Sequence, residues 1–217
     1  MEFNVADLFE AAADAVPERD ALVAGEVRHS FDSLDQRANR VAHHLARTGV
    51  TSGDHVGVYA YNCAEYVEAM LACYKLRAVP INVNYRYVEQ ELQYLFDNAD
   101  LVALVHQRQF TPRIAAVRGR LPKLRHFVAI DDQSGEDLAG LGSIPYEQAL
   151  AAASPDRGFE PRSADDLYVL YTGGTTGMPK GVIWRQEDVI FALGGGIDHV
   201  TGEPAKRPED MTAKTAN

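Results

Sequence analysis

The chain has 217 residues, of which 46% are hydrophobic and 24% charged, and this balance is typical of a folded protein with one or two cores. The formal net charge of −10 argues against a protein that wraps nucleic acid, because neutralising phosphates requires an excess of lysine and arginine. No apolar run approaches the ~20 residues of a membrane span, and the acidic start MEFNVADLFE does not resemble a secretory signal. We therefore expect a cytoplasmic protein with no transmembrane segment and no nucleic-acid partner.

From residue 31 onwards, helical patterns alternate with short apolar runs. Leu34, Ala38, Val41 and Leu45 share one face of a helix that would begin with Ser30 as its cap and end near Gly49. Further along, the pattern predicts strands over 56–60, 78–83, 101–105 and 126–130, and helices over 64–75, 89–96 and 110–118. Apolar strands separated by amphipathic helices indicate a layered α/β fold, with a mostly parallel sheet flanked by helices.

The remaining residues divide into a polar excursion, a second structured stretch and a tail. Residues 131–165 are acidic and glycine-rich, which predicts a surface excursion within one domain, with a short helix over 146–152. A strand over 167–171, an apolar run at 182–184 and a helix over 187–193 follow, and 201–217 form a polar tail. We interpret 1–217 as part of a single domain.

The stretch YTGGTTGMPK, directly after the apolar run at 167–170, is the main functional candidate. Its glycines let backbone N–H groups approach a ligand, hydroxyls add further donors, and one lysine adds a full positive charge. These residues are Thr172, Gly173, Gly174, Thr175, Thr176, Gly177 and Lys180. Amides, hydroxyls and one cation without a nearby carboxylate favour a polyphosphate ligand.

Other phosphate-binding loops do not match this stretch. A Walker loop would place lysine directly after Gly177, where Met178 and Pro179 intervene. The dinucleotide and protein-kinase glycine patterns have different spacings. A turn that happens to be rich in glycine and threonine is the structural alternative, and the ordered mix over ten positions weighs against it.

The residues YTGGTTGMPKGV resemble the phosphate-loop signature of the adenylate-forming enzymes, and SLDQRANRVAHHLARTGVTSGDHVGVYAYN and PINVNYRYVEQELQYLFD resemble the opening half of an acyl-CoA synthetase. Within that family, the chain is most similar to ligases acting on long-chain or steroid side-chain acids. The resemblance implies ATP, Mg²⁺ and coenzyme A as cofactors and a carboxylic acid as substrate. It also implies that the loop from Thr172 to Lys180 holds the β- and γ-phosphates, with Lys180 as the catalytic charge.

The resemblance has two departures, in sequence and in length. Gly173 stands where most relatives have serine, so the loop lacks one hydroxyl. The family's later motifs are absent, so we expect an incomplete N-terminal domain that is inactive alone, with exposed apolar surface and self-association. The alternatives are a truncated, non-catalytic paralogue acting as a binding or partner module, and an amino-acid-activating enzyme.

Structural roles are expected for several other polar residues. We expect Arg86 and Glu91 to form an ion pair, and Asp165 and Asp166 to cap a turn rather than bind metal.

Histidines and cysteines give no metal pattern. His43 and His44 are expected to be partly exposed on their helix, and the ten-residue spacing of Cys63 and Cys73 matches no zinc site, which predicts two buried thiols and no structural metal.

Overall fold

A mostly parallel sheet with helices on both faces carries the fold. This computed structural model describes residues 1–173, 177–193, 195–198 and 201–212. The strands are β1 (Asp20–Ala24), β2 (Val27–Ser30), β3 (His55–Tyr59), β4 (Val79–Asn82), β5 (Leu101–Gln107), β6 (His126–Ile130), β7 (Ile144–Pro145), β8 (Leu167–Thr172) and β9 (Lys180–Arg185). The helices are α1 (Val5–Ala15), α2 (Phe31–Arg47), α3 (Ala64–Lys75), α4 (Glu89–Asn98), α5 (Thr111–Arg118), α6 (Tyr146–Ala151), α7 (Gln186–Ala192) and α8 (Pro208–Thr212).

The main sheet has seven strands in the order β7-β6-β5-β3-β4-β8-β9. All neighbours are parallel except β8 and β9, which are antiparallel. One core lies between the sheet and α2, α3 and α6, and a second lies between the opposite face and α4 and α5. The layered α/β fold expected from the sequence is therefore confirmed.

Helix α2 shows how the sequence produces these elements. The Ser30 side chain accepts a hydrogen bond from the Ser33 N–H at 3.2 Å, which satisfies one free donor of the first turn. The predicted apolar stripe is buried, and the helix stops before Gly49, which adopts a φ of 96° that other residues rarely tolerate. Burial of the stripe against α3 and the sheet stabilises a helix that would be marginal alone.

A buried charged cluster fastens α1 to the body of the domain. The ammonium of Lys75 is fully buried and lies 2.5 Å from Glu10 and 2.7 Å from Asp35. Arg157 binds the same Asp35 at 2.9 Å, and Arg162 binds Glu10 at 2.7 Å. Burial alone would raise the pKa of Asp35, but hydrogen bonds from Lys75 and Arg157 outweigh it and leave that pKa below its usual value. This set of five residues is called the Lys75 cluster below.

The structure adds elements that the sequence analysis did not predict. β1 and β2 form a separate antiparallel hairpin, whose turn contains Gly25 at a φ of 61°. Within the excursion at 131–165, β7 joins the main sheet and α6 buries Tyr146, Ala149 and Leu150 in the core, so part of this segment is structural.

Two of the expectations about individual residues are wrong. His44 is buried rather than partly exposed, because it follows Val41 by three residues on the inner face of α2. No ion pair joins Arg86 and Glu91, both of which the structure describes. Arg86 lies 5.5 Å over the Tyr85 ring, and Glu91 accepts a hydrogen bond from the Val88 N–H at the start of α4.

No helix in the described part of the chain combines the length and apolar character needed to cross a bilayer.

Candidate functional site

The predicted phosphate loop connects β8 to β9 at the carboxyl end of β8. The antiparallel ladder closes with Thr172 opposite Lys180, so residues 173–179 form the connection. Open α/β sheets bind ligands beyond the carboxyl ends of their parallel strands, which is where this connection lies. Gly174, Thr175 and Thr176 lie outside the described residues, so their predicted contacts remain predictions.

The described residues of the loop are open to solvent except at one point. Thr172, Gly173, Gly177 and Lys180 are exposed, whereas Pro179 is buried and anchors the chain just before the lysine. No described residue forms an ion pair with Lys180. At the other end of β9, by contrast, Arg185 binds Asp165 and Asp188, each at 2.7 Å. An uncompensated cation beside exposed glycines suits an anionic ligand.

The base of the loop is held by Asn82 and Tyr171. The Asn82 side chain accepts from the Tyr171 N–H at 2.9 Å and donates to the Tyr171 carbonyl at 3.2 Å. The Tyr171 hydroxyl donates to Asn98 at 2.8 Å, and a Cβ on Gly181 would lie 3.0 Å from the Tyr171 ring. Strands β4 and β8 share only the register pair Ile81 with Val169, so Asn82 extends their pairing to the loop.

A turn between β4 and α4 also reaches the loop. The Tyr87 hydroxyl lies 3.4 Å from the position that a Cβ on Gly173 would occupy. Neither Tyr87 nor Asn82 belongs to the motif that predicted the site. Asn82 lies at the carboxyl end of a predicted parallel strand, and this position could have indicated a polar residue beside the site. No local sequence pattern indicates Tyr87.

The aspartates before β8 have structural partners. Asp166 binds Arg77 at 2.9 Å and accepts a hydrogen bond from the Ser163 N–H at 3.0 Å, and Asp165 binds Arg185. Both lie at the end of β8 opposite the loop, so they do not provide Mg²⁺ ligands beside it. Among the described residues, no group of three or more histidine, cysteine, aspartate or glutamate side chains is placed to hold a metal ion.

A serine, a histidine and a glutamate meet at the start of α2. Ser33 Oγ lies 3.2 Å from His29 Nδ1, and His29 Nε2 lies 3.5 Å from the buried Glu68. The first three N–H groups of the helix are bonded to the Arg19 and Pro17 carbonyls and to the Ser30 hydroxyl. These three donors are therefore not available to an oxyanion, as a hydrolase site at this helix start would require.

The two cysteines offer no reactive thiolate. Burial raises the pKa of both Cys63 and Cys73 to about 12, so both thiols stay protonated at neutral pH. Cys73 is fully buried as expected, whereas Cys63, which was also expected to be buried, is only half-buried at the start of α3.

The known proteins that this chain resembles are AMP-binding enzymes and CoA ligases. The model of the AMP-binding enzyme family matches residues 9–212. A 3-oxocholest-4-en-26-oate–CoA ligase of Rhodococcus rhodochrous is 54% identical over 206 residues, which are 95% of this chain and 37% of the relative. A medium/long-chain-fatty-acid–CoA/3-oxocholest-4-en-26-oate–CoA ligase of Mycolicibacterium smegmatis is 49% identical over 216 residues, which are 100% of this chain and 39% of the relative.

Solved structures agree with this relationship. The anthranilate CoA ligase AuaEII, in complex with anthranoyl-AMP, superposes with a TM-score of 0.80 at 26% identity over 88% of this chain and 37% of its own. The N-terminal domain of FACL13 from Mycobacterium tuberculosis shares the fold with a TM-score of 0.77 at 24% identity, over 91% of this chain and 48% of its own. The chain thus spans less than half the length of the curated relatives described here. The match over residues 9–212 shows that the chain belongs to the family of AMP-binding enzymes.

Proposed function

We propose that this chain is the phosphate-binding part of an ATP-dependent carboxylate–CoA ligase that activates a long-chain or steroid side-chain acid. The observation that carries the proposal is Lys180, an exposed cation without a described ion-pair partner, at the end of a glycine-rich loop beyond the carboxyl end of β8. Two further findings support it. The relatives at 54% and 49% identity are CoA ligases for such acids, and a structural relative at 26% identity is complexed with an acyl-AMP.

In the proposed reaction, a substrate carboxylate oxygen attacks the α-phosphorus of ATP, the bond to the β-phosphate breaks, and pyrophosphate leaves. The thiol of coenzyme A then attacks the acyl carbon and displaces AMP. Two anions must approach each other in the first step, so catalysis depends mainly on positioning and on neutralising charge. Lys180 supplies the charge, and amides and hydroxyls from Thr172 to Gly177 orient the β- and γ-phosphates.

Mg²⁺ belongs in this proposal as part of the nucleotide substrate. The described residues beside the loop supply no ligand set for it, and Asp165 and Asp166 are engaged with arginines at the far end of β8. No step is therefore assigned to protein-bound Mg²⁺.

We propose further that these 217 residues bind the phosphates but do not complete adenylation alone, since they span less than half of the ligases they match. A second candidate is a non-catalytic partner module. The exposed apolar residues of the β8–β9 hairpin favour it, because such a surface suits contact with another polypeptide. The two candidates differ in turnover and share phosphate binding.

The test is the binding of ATP and of inorganic tripolyphosphate to the purified chain by isothermal titration calorimetry. We expect Lys180→Ala to weaken both by about tenfold or more, because a charge-assisted contact to phosphate is lost. Lys123→Ala is the matched control, since Lys123 is exposed and paired with Asp100. Equal dissociation constants for the native chain and Lys180→Ala would contradict the proposal.

Exchange of labelled pyrophosphate into ATP, with a long-chain acid present, separates the two candidates. In a protein carrying the complete ligase, exchange should occur and should fall in Lys180→Ala. Phosphate binding without exchange in the protein as encoded would favour the partner module.

A further inference from the structure

The Tyr87 hydroxyl lies beside Gly173, at the start of the predicted loop. It is 3.4 Å from where a Cβ on Gly173 would stand, which is ordinary van der Waals contact. A side chain from another segment thus lies against the loop backbone at Gly173. The Tyr87 hydroxyl makes no hydrogen bond to any residue that the structure describes, although its ring is half-buried.

The backbone that carries Tyr87 is fixed from the core. The Tyr87 carbonyl accepts from the Tyr59 hydroxyl at 2.9 Å and from Arg113 at 3.3 Å. Tyr59 is fully buried and stacks on Phe110 with ring centroids 4.2 Å apart. These bonds fix the backbone at Tyr87 before any ligand arrives, so only the rotation of its half-buried side chain is left to be ordered on binding.

The hydroxyl is a hydrogen-bond donor at neutral pH. Burial raises the pKa of Tyr87 above its usual value, and the nearby Glu91 carboxylate raises it further. A protonated phenol donates to an anionic oxygen, and a donor bound to a charged acceptor makes a stronger contact than one bound to a neutral group.

We propose that Tyr87 is a phosphate-binding residue, whose hydroxyl donates to a phosphate oxygen held at the loop beside Gly173. The inference rests on the proposed function, because it assigns one more donor to the same ligand. It adds a residue from the β4–α4 turn to a site that the sequence confined to one hairpin. In this arrangement the tyrosine hydroxyl reaches the anion from the side of Gly173.

The experiment measures inorganic tripolyphosphate binding to the purified chain for Tyr87→Phe, which keeps the ring and removes the hydroxyl. We expect the dissociation constant to rise about tenfold with an unchanged midpoint of urea unfolding. Tyr85→Phe is the matched control from the same turn, and its affinity should equal that of the native chain. Tyr87→Phe combined with Gly173→Ser should regain most of the affinity, because residue 173 has room for a Cβ and the serine hydroxyl replaces the lost donor.

Each outcome is decisive. Unchanged affinity in Tyr87→Phe overturns the inference, and so does an equal loss in Tyr87→Phe and Tyr85→Phe, which would indicate a general effect of the turn. Failure of the double variant to regain affinity also counts against the hydroxyl. If the native chain binds tripolyphosphate in a manner that depends on Lys180 but not on Tyr87, only this inference fails. If the native chain does not bind it at all, the proposed function fails as well.

Discussion

The middle of the sheet and its β9 end differ in burial. In β3 and β5 nearly every residue is buried, with Val58, Leu104 and Val105 fully so, whereas all six residues of β9 are exposed. Leu170, Val182 and Trp184 lie on one side of the β8–β9 hairpin and are each about two-fifths exposed. These three residues are called the hairpin face. The buried middle of the sheet, called the closed part below, holds the strands in place. The exposed β8–β9 end, called the open part, carries both the candidate phosphate loop and the uncovered apolar surface.

Charge follows the same division. The Lys75 cluster pairs every charge that it buries, and it joins α1, α2, α3 and the segment around Arg157 and Arg162. Lys180, at the exposed end, has no ion-pair partner among the described residues. The two charges thus differ in surroundings: the charges of the Lys75 cluster are buried and compensated within the fold, and Lys180 is exposed at the loop that we propose binds phosphate.

The largest effect on stability is expected where the closed part is broken at Lys75. Lys75→Ala removes the only fully buried cation of the cluster and leaves Glu10 and Asp35 with Arg162 and Arg157 alone, and this should lower the free energy of unfolding by about 3 kcal/mol. Urea denaturation followed by circular dichroism measures it. Lys123→Ala removes an exposed pair with Asp100 and should cost less than about 1 kcal/mol. Similar losses in both variants would refute the division between closed and open regions.

A smaller effect, visible only in acid, is expected at His106. Burial lowers the pKa of His106 to about 4, from an ordinary value of 6.5. Between pH 6.5 and pH 4, His106 is therefore protonated in the unfolded chain and neutral in the folded chain. Its contribution to the free energy of unfolding is fully present above pH 6.5 and decreases as pH falls towards 4. The loss from this residue approaches about 3 kcal/mol.

The corresponding variant is His106→Gln, which should flatten the fall in unfolding free energy between pH 6.5 and pH 4. His44 and His126, whose pKa values are also lowered chiefly by burial, should leave part of the slope. Ser143→Ala removes the hydroxyl 3.0 Å from His106 but keeps the buried imidazole, so the native slope should remain. A slope that His106→Gln leaves unchanged would show that this imidazole accepts its proton in the folded chain.

The smallest effect on stability is expected on the hairpin face, where the change should appear in association. We propose that a second copy of the chain covers this face, because an exposed edge strand with apolar side chains favours pairing. Val182→Lys should reduce the apparent mass in light scattering and change the unfolding free energy by less than about 0.5 kcal/mol. Val27→Lys, at a similarly exposed valine of β2, is the control. A native chain that remains monomeric at high concentration would contradict the proposal.

The closed part was predictable because its physics is local. Buried parallel strands appear as apolar runs, and Leu34, Ala38, Val41 and Leu45 repeat with the helical period, so α2, β3 and α3 were expected close to their observed bounds. The loop was predictable for a similar reason, since glycines, threonines and a lysine occur together in one short stretch.

The remaining features depend on contacts between distant segments. Tyr87 meets Gly173 only because β4 and β8 are neighbours in the sheet, and β7 is too short to show any pattern. His44 is buried because it lies on the inner face of α2, and its polar side chain gives no local sign of this. The β1–β2 hairpin is an exception, because its two-residue turn at Gly25 is a local sequence pattern typical of hairpins.

The Tyr171 ring has a consequence for substitutions in this chain. It lies against Gly181 so closely that any Cβ there would crowd it, while its hydroxyl and backbone are held by Asn98 and Asn82. A side chain at 181 would therefore require the Tyr171 ring to move by a few tenths of an ångström, against the hydrogen bonds that hold it, so a substitution at 181 is coupled to the residue at 171. Redesign of the loop should therefore keep Tyr171 and Gly181 unchanged.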